Sequence, residues 1–180
     1  MAIDAGLMPA FGEWLRSTRL TELSVWIGNT PLSNFLNQNN WITPTLQSIH
    51  LLAIAITFSA ALMINLRIVG VAGQSRTMPE MEERYVPWIW GGLLTLVTTG
   101  LILLLAEPSR QLLNAYFWTK MALVVLVTLV NLWFQRSVQG DAAIWRPTRP
   151  ANGALKAGAL CMIAAWAAIM VMGRWIAYGV

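Results

Sequence analysis

One histidine, one lysine and one glutamate stand inside or at the edge of otherwise apolar runs, and these are the groups with chemistry to offer. His50 follows Pro44 by six residues and Lys120 follows Asn114 by six. At 1.5 Å per helical residue, each lies about 9 Å into its run. Glu107 closes the intervening run. An ionisable group among apolar residues is expensive unless paired, so three at one depth point to a shared site. An imidazole there can ligate haem iron or copper, and an ammonium can hold an acidic ligand.

These groups need elements to position them, and the composition says which. Of 180 residues, 57% are hydrophobic and only 11% charged, against about a quarter charged in ordinary soluble domains. That excludes a water-facing globule. Apolar runs at about 44–69, 86–106, 114–134 and 155–176 each have the roughly 20 residues needed to cross a bilayer. The fold expected is all-α, a membrane four-helix bundle, because lipid leaves open backbone groups unsatisfied. Thr43 and Pro44 suit the cap and first position of the first span. Residues 1–43 are predicted to form short amphipathic helices, either lying on the membrane surface or packed as a lid on the bundle 44–180. Thr30-Pro31 marks one helix start and Asn37-Gln38-Asn39-Asn40 a stop. Met1 to Trp14 does not read as a cleaved signal peptide.

Sidedness follows from the basic residues. Arg67, Arg76, Arg84, Arg136, Arg146, Arg149 and Lys156 flank the spans on one side, and Arg16, Arg19, Arg110 and Arg174 on the other. Seven against four places the richer side in the cytoplasm and both termini in the periplasm or outside the cell. His50 and Lys120 then lie near the outer leaflet. Trp41, Trp118 and Trp175 would belt the outer boundary, and Trp88, Trp90 and Trp133 the inner one. The net charge of +4 comes from scattered residues with no basic stripe, which argues against nucleic acid as a partner.

His50, Ala53, Thr57 and Ala61 share a helical face, so the imidazole looks along a groove of small residues wide enough for a porphyrin or for a neighbouring helix. Lys120, Thr128, Asn131 and Gln135 fall in one polar sector of the third span. The plainer alternatives are a hydrogen bond from His50 to Glu107, and a Lys120 ammonium that snorkels to the headgroups. Copper is the weaker metal choice, with Met121 or Met63 as soft ligands beside His50, because methionine is common core filler. Ala157, Cys161, Ala165 and Ala168 form a close-packing face on the fourth span, and Cys161 is expected to be inert. Glu80, Glu82 and Glu83 read as a solvated helix start. No phosphate loop, metal-spaced His/Cys cluster or serine nucleophile motif is present.

The string Leu46-Gln47-Ser48-Ile49-His50-Leu51-Leu52, with Asn65-Leu66-Arg67-Ile68-Val69-Gly70 and the amphipathic stretch from Phe11 to Trp41, resembles a family of four-span bacterial inner-membrane proteins known only as a domain of unknown function. More distantly, the order His50, Arg67, Met81-Glu82-Glu83-Arg84, Pro87, Gly100 and Trp118-Thr119-Lys120 is similar to the HemJ-type protoporphyrinogen oxidases and the copper-resistance D proteins. The oxidase likeness implies haem b on His50 and a lysine, here Lys120, needed for activity. Those oxidases carry further histidines, whereas this chain has one. Any haem would be five-coordinate, use methionine, or borrow a ligand from another subunit.

Two functions are therefore in view. One is a tetrapyrrole-handling or redox membrane protein, with His50 as the iron ligand, Thr57 beside it, and Lys120, Arg67 or Arg110 on an acidic group. The other is a non-catalytic accessory or scaffold subunit of a larger membrane complex. The expected partners are the lipid bilayer and either further copies of the chain, as a homo-oligomer, or other membrane-protein subunits.

Overall fold

Eight helices and no strand occupy residues 6–140 and 153–176, the part of the chain described by the computed structural model. They are α1 (Leu7–Ser17), α2 (Leu20–Gly28), α3 (Pro31–Gln38), α4 (Ile42–Val69), α5 (Met78–Ala106), α6 (Pro108–Leu112), α7 (Ala115–Gly140) and α8 (Gly153–Trp175). Arg146 and Arg149 lie outside the described residues, as does the side chain of Gln135.

Local chemistry sets the helix ends. Thr30 accepts a hydrogen bond from the Ser33 amide at 3.3 Å, and Pro31 takes the first position of α3 as expected. α4 begins two residues before Pro44, so Thr43 is helical rather than a cap. Pro44 is accommodated because amides of the first turn have no intrahelical acceptor. α5 begins eight residues before the predicted Val86, through a reciprocal capping box: the Thr77 amide donates to Glu80 Oε2 at 2.7 Å, and the Glu80 amide to Thr77 Oγ1 at 3.4 Å. Pro87 is carried inside this helix. Apolar content had marked only the part of each helix that suits lipid.

α4, α5, α8 and the Ala115–Phe134 part of α7 are long and apolar enough to cross a membrane. They leave large side chains facing outward, such as Leu94 at 70% exposure and Leu101 at 58%. Water would disfavour so much exposed apolar surface, and acyl chains would not. The chain is a multi-pass membrane protein.

It divides into two compact units, and α4, α5, α7 and α8 contribute to both. The first comprises Met1–Leu51, Leu96–Ala122 and Met170–Val180. Here α2 packs against α6: Pro108 Cγ sits 3.6 Å from where a Gly28 β-carbon would be, and Ser109 Oγ lies 3.3 Å from Ser24 Oγ. Asn37 Nδ2 donates to the Ala106 carbonyl at 2.9 Å, serving an acceptor that the end of α5 leaves open. The N-terminal helices are thus packed on the α5–α6 turn, while Trp14, Trp26, Phe35 and Trp41 remain exposed. The Asn114 side chain ties α7 to α8, donating to the Ile176 carbonyl at 3.3 Å while its Oδ1 accepts from the Tyr116 amide at 2.9 Å.

The second unit comprises Leu52–Thr95 and Leu123–Ile169. Its core draws on four helices: Ala60, Ala61, Ile64 and Ile68 from α4, Met78, Ile89 and Leu93 from α5, Val127 from α7, and Ala159, Trp166 and Ile169 from α8. The α4–α5 loop turns through Gly70 (φ 90°) and Gly73 (φ 69°), left-handed conformations that favour glycine. On α8, Ala157 and Cys161 are exposed and Ala165 and Ala168 half-buried, so the predicted close-packing face is only partly used within the chain.

Candidate functional site

His50 and Lys120 both fall in the first unit. His50 sits in the part of α4 that carries exposed Ile49, Leu51 and Leu52, and it is itself half-buried. Its Nδ1 lies 2.7 Å from Thr99 Oγ1 on α5. The Thr99 side chain is buried, and its hydroxyl also reaches the Leu96 carbonyl at 3.4 Å. A hydroxyl has one proton. If that proton goes to the carbonyl, the oxygen accepts from Nδ1–H, and the tautomer so fixed carries its lone pair on Nε2. With that tautomer, the hydrogen bond at Nδ1 orients the ring and leaves Nε2 able to ligate a metal. The bond predicted from His50 to Glu107 is not the one formed: Glu107 Oε2 takes Arg110 Nη1 at 2.6 Å, a partner three residues along the same turn.

Glycines clear space around both groups. A β-carbon on Gly100, one residue beyond Thr99, would meet His50 Cε1 at 3.6 Å. A β-carbon on Gly173 of α8 would lie 3.4 Å from Lys120 Nζ and 3.7 Å from its Cε. The lysine stem therefore runs across α8 where that helix has no side chain. Two sets of neighbours result: His50 from α4 with Thr99 and Gly100 from α5, and Lys120 from α7 with Gly173 from α8.

The remaining predicted residues have partners of their own or fall in the second unit. Arg110 is half-exposed and committed to Glu107. Arg67 belongs to the second unit, where its Nε donates to the Arg76 carbonyl at 2.9 Å and ties the α4–α5 loop. Thr57 is also in the second unit, fully buried, with its hydroxyl donating to the Ala53 carbonyl at 2.7 Å. Of the suggested copper ligands, Met63 is in the second unit and Met121 is 40% exposed. Among the described residues no three His, Cys, Asp or Glu side chains gather into a metal-binding group.

Thr99 and Gly173 were not anticipated as working parts, and Gly100 entered only in the order shared with the HemJ-type oxidases. The further cue was a threonine-glycine pair within an apolar run, which also suits plain helix packing. Glu82 departs further from expectation: it is buried at 8% exposure rather than solvated, although Glu80 and Glu83 beside it are exposed.

The fold defines an all-α, multi-pass integral membrane protein that carries His50 and Lys120 on two of its spans. The chain belongs to the family of unknown function DUF6644, whose sequence model matches residues 35–179. That stretch includes His50, Thr99, Gly100, Lys120 and Gly173 and leaves α1 and α2 outside. No curated protein and no solved structure matches the chain.

Proposed function

We propose that this is a bacterial inner-membrane protein that holds haem b, or a closely similar tetrapyrrole, at His50 and Lys120 near the outer leaflet. The observation that carries the reading is the hydrogen bond between His50 Nδ1 and Thr99 Oγ1, which favours an imidazole with Nε2 free to bind iron. The donor set fits a single axial ligand. His50 would hold the iron, and Lys120 would hold an acidic side group of the ring through a charge-assisted hydrogen bond. Haem bound there would supply one-electron redox chemistry. Thr99 keeps the imidazole from rotating, Gly100 and Gly173 keep side chains away from ring and amine, and apolar neighbours restrict water. The distant likeness to HemJ-type oxidases points the same way. The basic residues Arg67, Arg76, Arg84, Arg136 and Lys156 favour the side that bears the α4–α5 loop as cytoplasmic, with both termini on the other side.

The test is the visible absorption spectrum of protein produced with ample haem. A haem band in the wild type that is lost in His50→Ala, in a protein that still purifies as a folded species, supports the reading. A wild type without the band overturns it.

A second reading, an accessory subunit of a membrane complex, draws on α8. Ala157, Gly158 and Cys161 leave an exposed, small-residue strip where another helix could approach closely. Mass spectrometry after gentle detergent extraction decides it: a co-purifying subunit supports this role, and a lone monomer in every mild detergent removes it.

A further inference from the structure

The short helices of the first unit carry their polarity inside out. On α2 the most deeply buried residue is a serine, Ser24 at 1% exposure, whereas Leu23, Val25 and Trp26 are exposed, Trp26 at 68%. On α3, Ser33 and Leu36 are buried, and Leu32 and Phe35 are exposed. On α1, Leu7 and Trp14 are exposed seven residues apart and so share a helical face, and the Phe11 ring stacks on Trp14 with centroids 5.7 Å apart. A helix that covers a bundle and faces water shows the opposite order, apolar residues inward and polar ones outward. Large apolar side chains turned outward on consecutive helices mark an interaction surface.

Packing fixes the level at which this surface stands. Asn37 of α3 holds the Ala106 carbonyl at 2.9 Å, Ser24 Oγ lies 3.3 Å from Ser109 Oγ, and Pro108 packs on Gly28. Ala106 ends the α5 span, and the next residue is Glu107, paired with Arg110 in a polar turn. α2 and α3 are therefore pinned where acyl chains give way to headgroups. Trp41, exposed just before α4, follows the end of α3 by three residues, and exposed Ile49, Leu51 and Leu52 continue along the span. The outward residues of α3 thus lead through Trp41 into the lipid-facing surface of α4.

The chemistry of the segment suits that boundary. Tryptophan is favoured there, and Glu13, Arg16, Arg19 and Glu22 are exposed, which headgroups and water permit and hydrocarbon does not. Two positive charges against two negative ones give no preference for anionic lipid, so the partner is the acyl chain rather than a particular headgroup.

We propose that α2 and α3 lie half-sunk in the leaflet at this end of α5, with Leu23, Val25, Trp26, Leu32 and Phe35 against the acyl chains of glycerophospholipid. The N-terminal segment is then a membrane-surface anchor rather than a water-facing lid, and it stands independently of the haem reading.

The test uses the full chain reconstituted into phosphatidylcholine vesicles, in a Cys161→Ala background. Trp26→Cys, Phe35→Cys and, as a water-facing reference on the α4–α5 loop, Ser75→Cys are each labelled with an environment-sensitive fluorophore. Lipid carrying a nitroxide near the ester end of its acyl chain should quench the labels at 26 and 35 about threefold more strongly than the label at 75, because interfacial helices sink their apolar face about 5–10 Å into the headgroup boundary. Iodide in the water should act in the reverse order. Iodide quenching at either position equal to that at 75 would make the segment a water-facing lid and overturn the proposal. Labels shielded from both quenchers would put protein, such as a second copy, over this face and overturn it also. Should the cysteine variants fail to fold, wild type and Trp26→Phe are compared in vesicles of brominated phosphatidylcholine. A drop in lipid-quenchable tryptophan emission in the variant supports the proposal, and an unchanged emission overturns it.

Discussion

Gly92 on α5 presses its backbone against Thr57 on α4, so closely that a β-carbon at 92 would overlap Thr57 Oγ1 and lie 3.2 Å from Thr57 Cβ. Both residues are in the second unit, where this contact lets the two helices approach. Gly92→Ala should therefore destabilise the protein by about 2 kcal/mol, as overpacking of a tight interface does. Thr57→Ala in the same chain removes the overlap with Oγ1 but leaves the 3.2 Å crowding, so the double variant should recover only part of the loss. Thermal unfolding in detergent of the two single variants and the double variant checks this.

Thr99→Val keeps the shape of the side chain and deletes the group that holds His50 Nδ1. Haem affinity should fall about tenfold, the lower end of second-shell effects, while the protein folds as before. Thr99→Ser should retain most of the affinity. Haem titrations followed by absorbance separate the three.

At position 173, size rather than charge is the variable. Gly173→Ala places a methyl group 3.4 Å from a flexible ammonium that can shift, so binding of a porphyrin bearing carboxylates should be unchanged. Gly173→Leu would push the amine aside, and it should match Lys120→Met in weakening that binding by about tenfold. The measurement is Kd for the same porphyrin across the series.

Thr77 and Glu80 cap α5 reciprocally, so each should contribute about 1 kcal/mol and the two should not add. Thr77→Ala, Glu80→Ala and the double variant, compared by thermal unfolding, should show the double loss falling short of the sum.

Asn37 spans from α3 to the Ala106 carbonyl. Asn37→Ala should lower local stability by about 1 kcal/mol, which hydrogen exchange would register as roughly fivefold faster opening across α3, with α4 unaffected.

Much of the frame was legible beforehand because membrane insertion imposes a coarse rule. A run such as Leu155–Ile176 cannot be anything but a span, and Thr30-Pro31 announces a helix start by local chemistry alone. Helix ends inside polar sequence were less visible. Glu80, Glu82 and Glu83 look alike as letters, yet one is buried and two are exposed, because only the turn angle of α5 decides which carboxylate meets the core. His50 and Lys120 stood out as ionisable residues in apolar runs. Their surroundings did not, since Thr99, Gly100 and Gly173 act by being near something else, and proximity between spans is not written in spacing along one of them. Residues such as Thr57 and Arg67 share a helix with His50, but α4 is 28 residues long and their own partners are the Ala53 and Arg76 carbonyls.

The seam between α2 and α6 also bears on how the chain is made. Asn37 meets its acceptor 69 positions downstream and Ser24 meets Ser109 after 85, so the N-terminal helices leave the ribosome well before their docking surface exists. Until α4 and α5 have been inserted, the face of α2 around Ser24 that meets α6 has only lipid or a chaperone to rest on. Closing that seam marks completion of the first hairpin, and translation halted before Ser109 would leave it open.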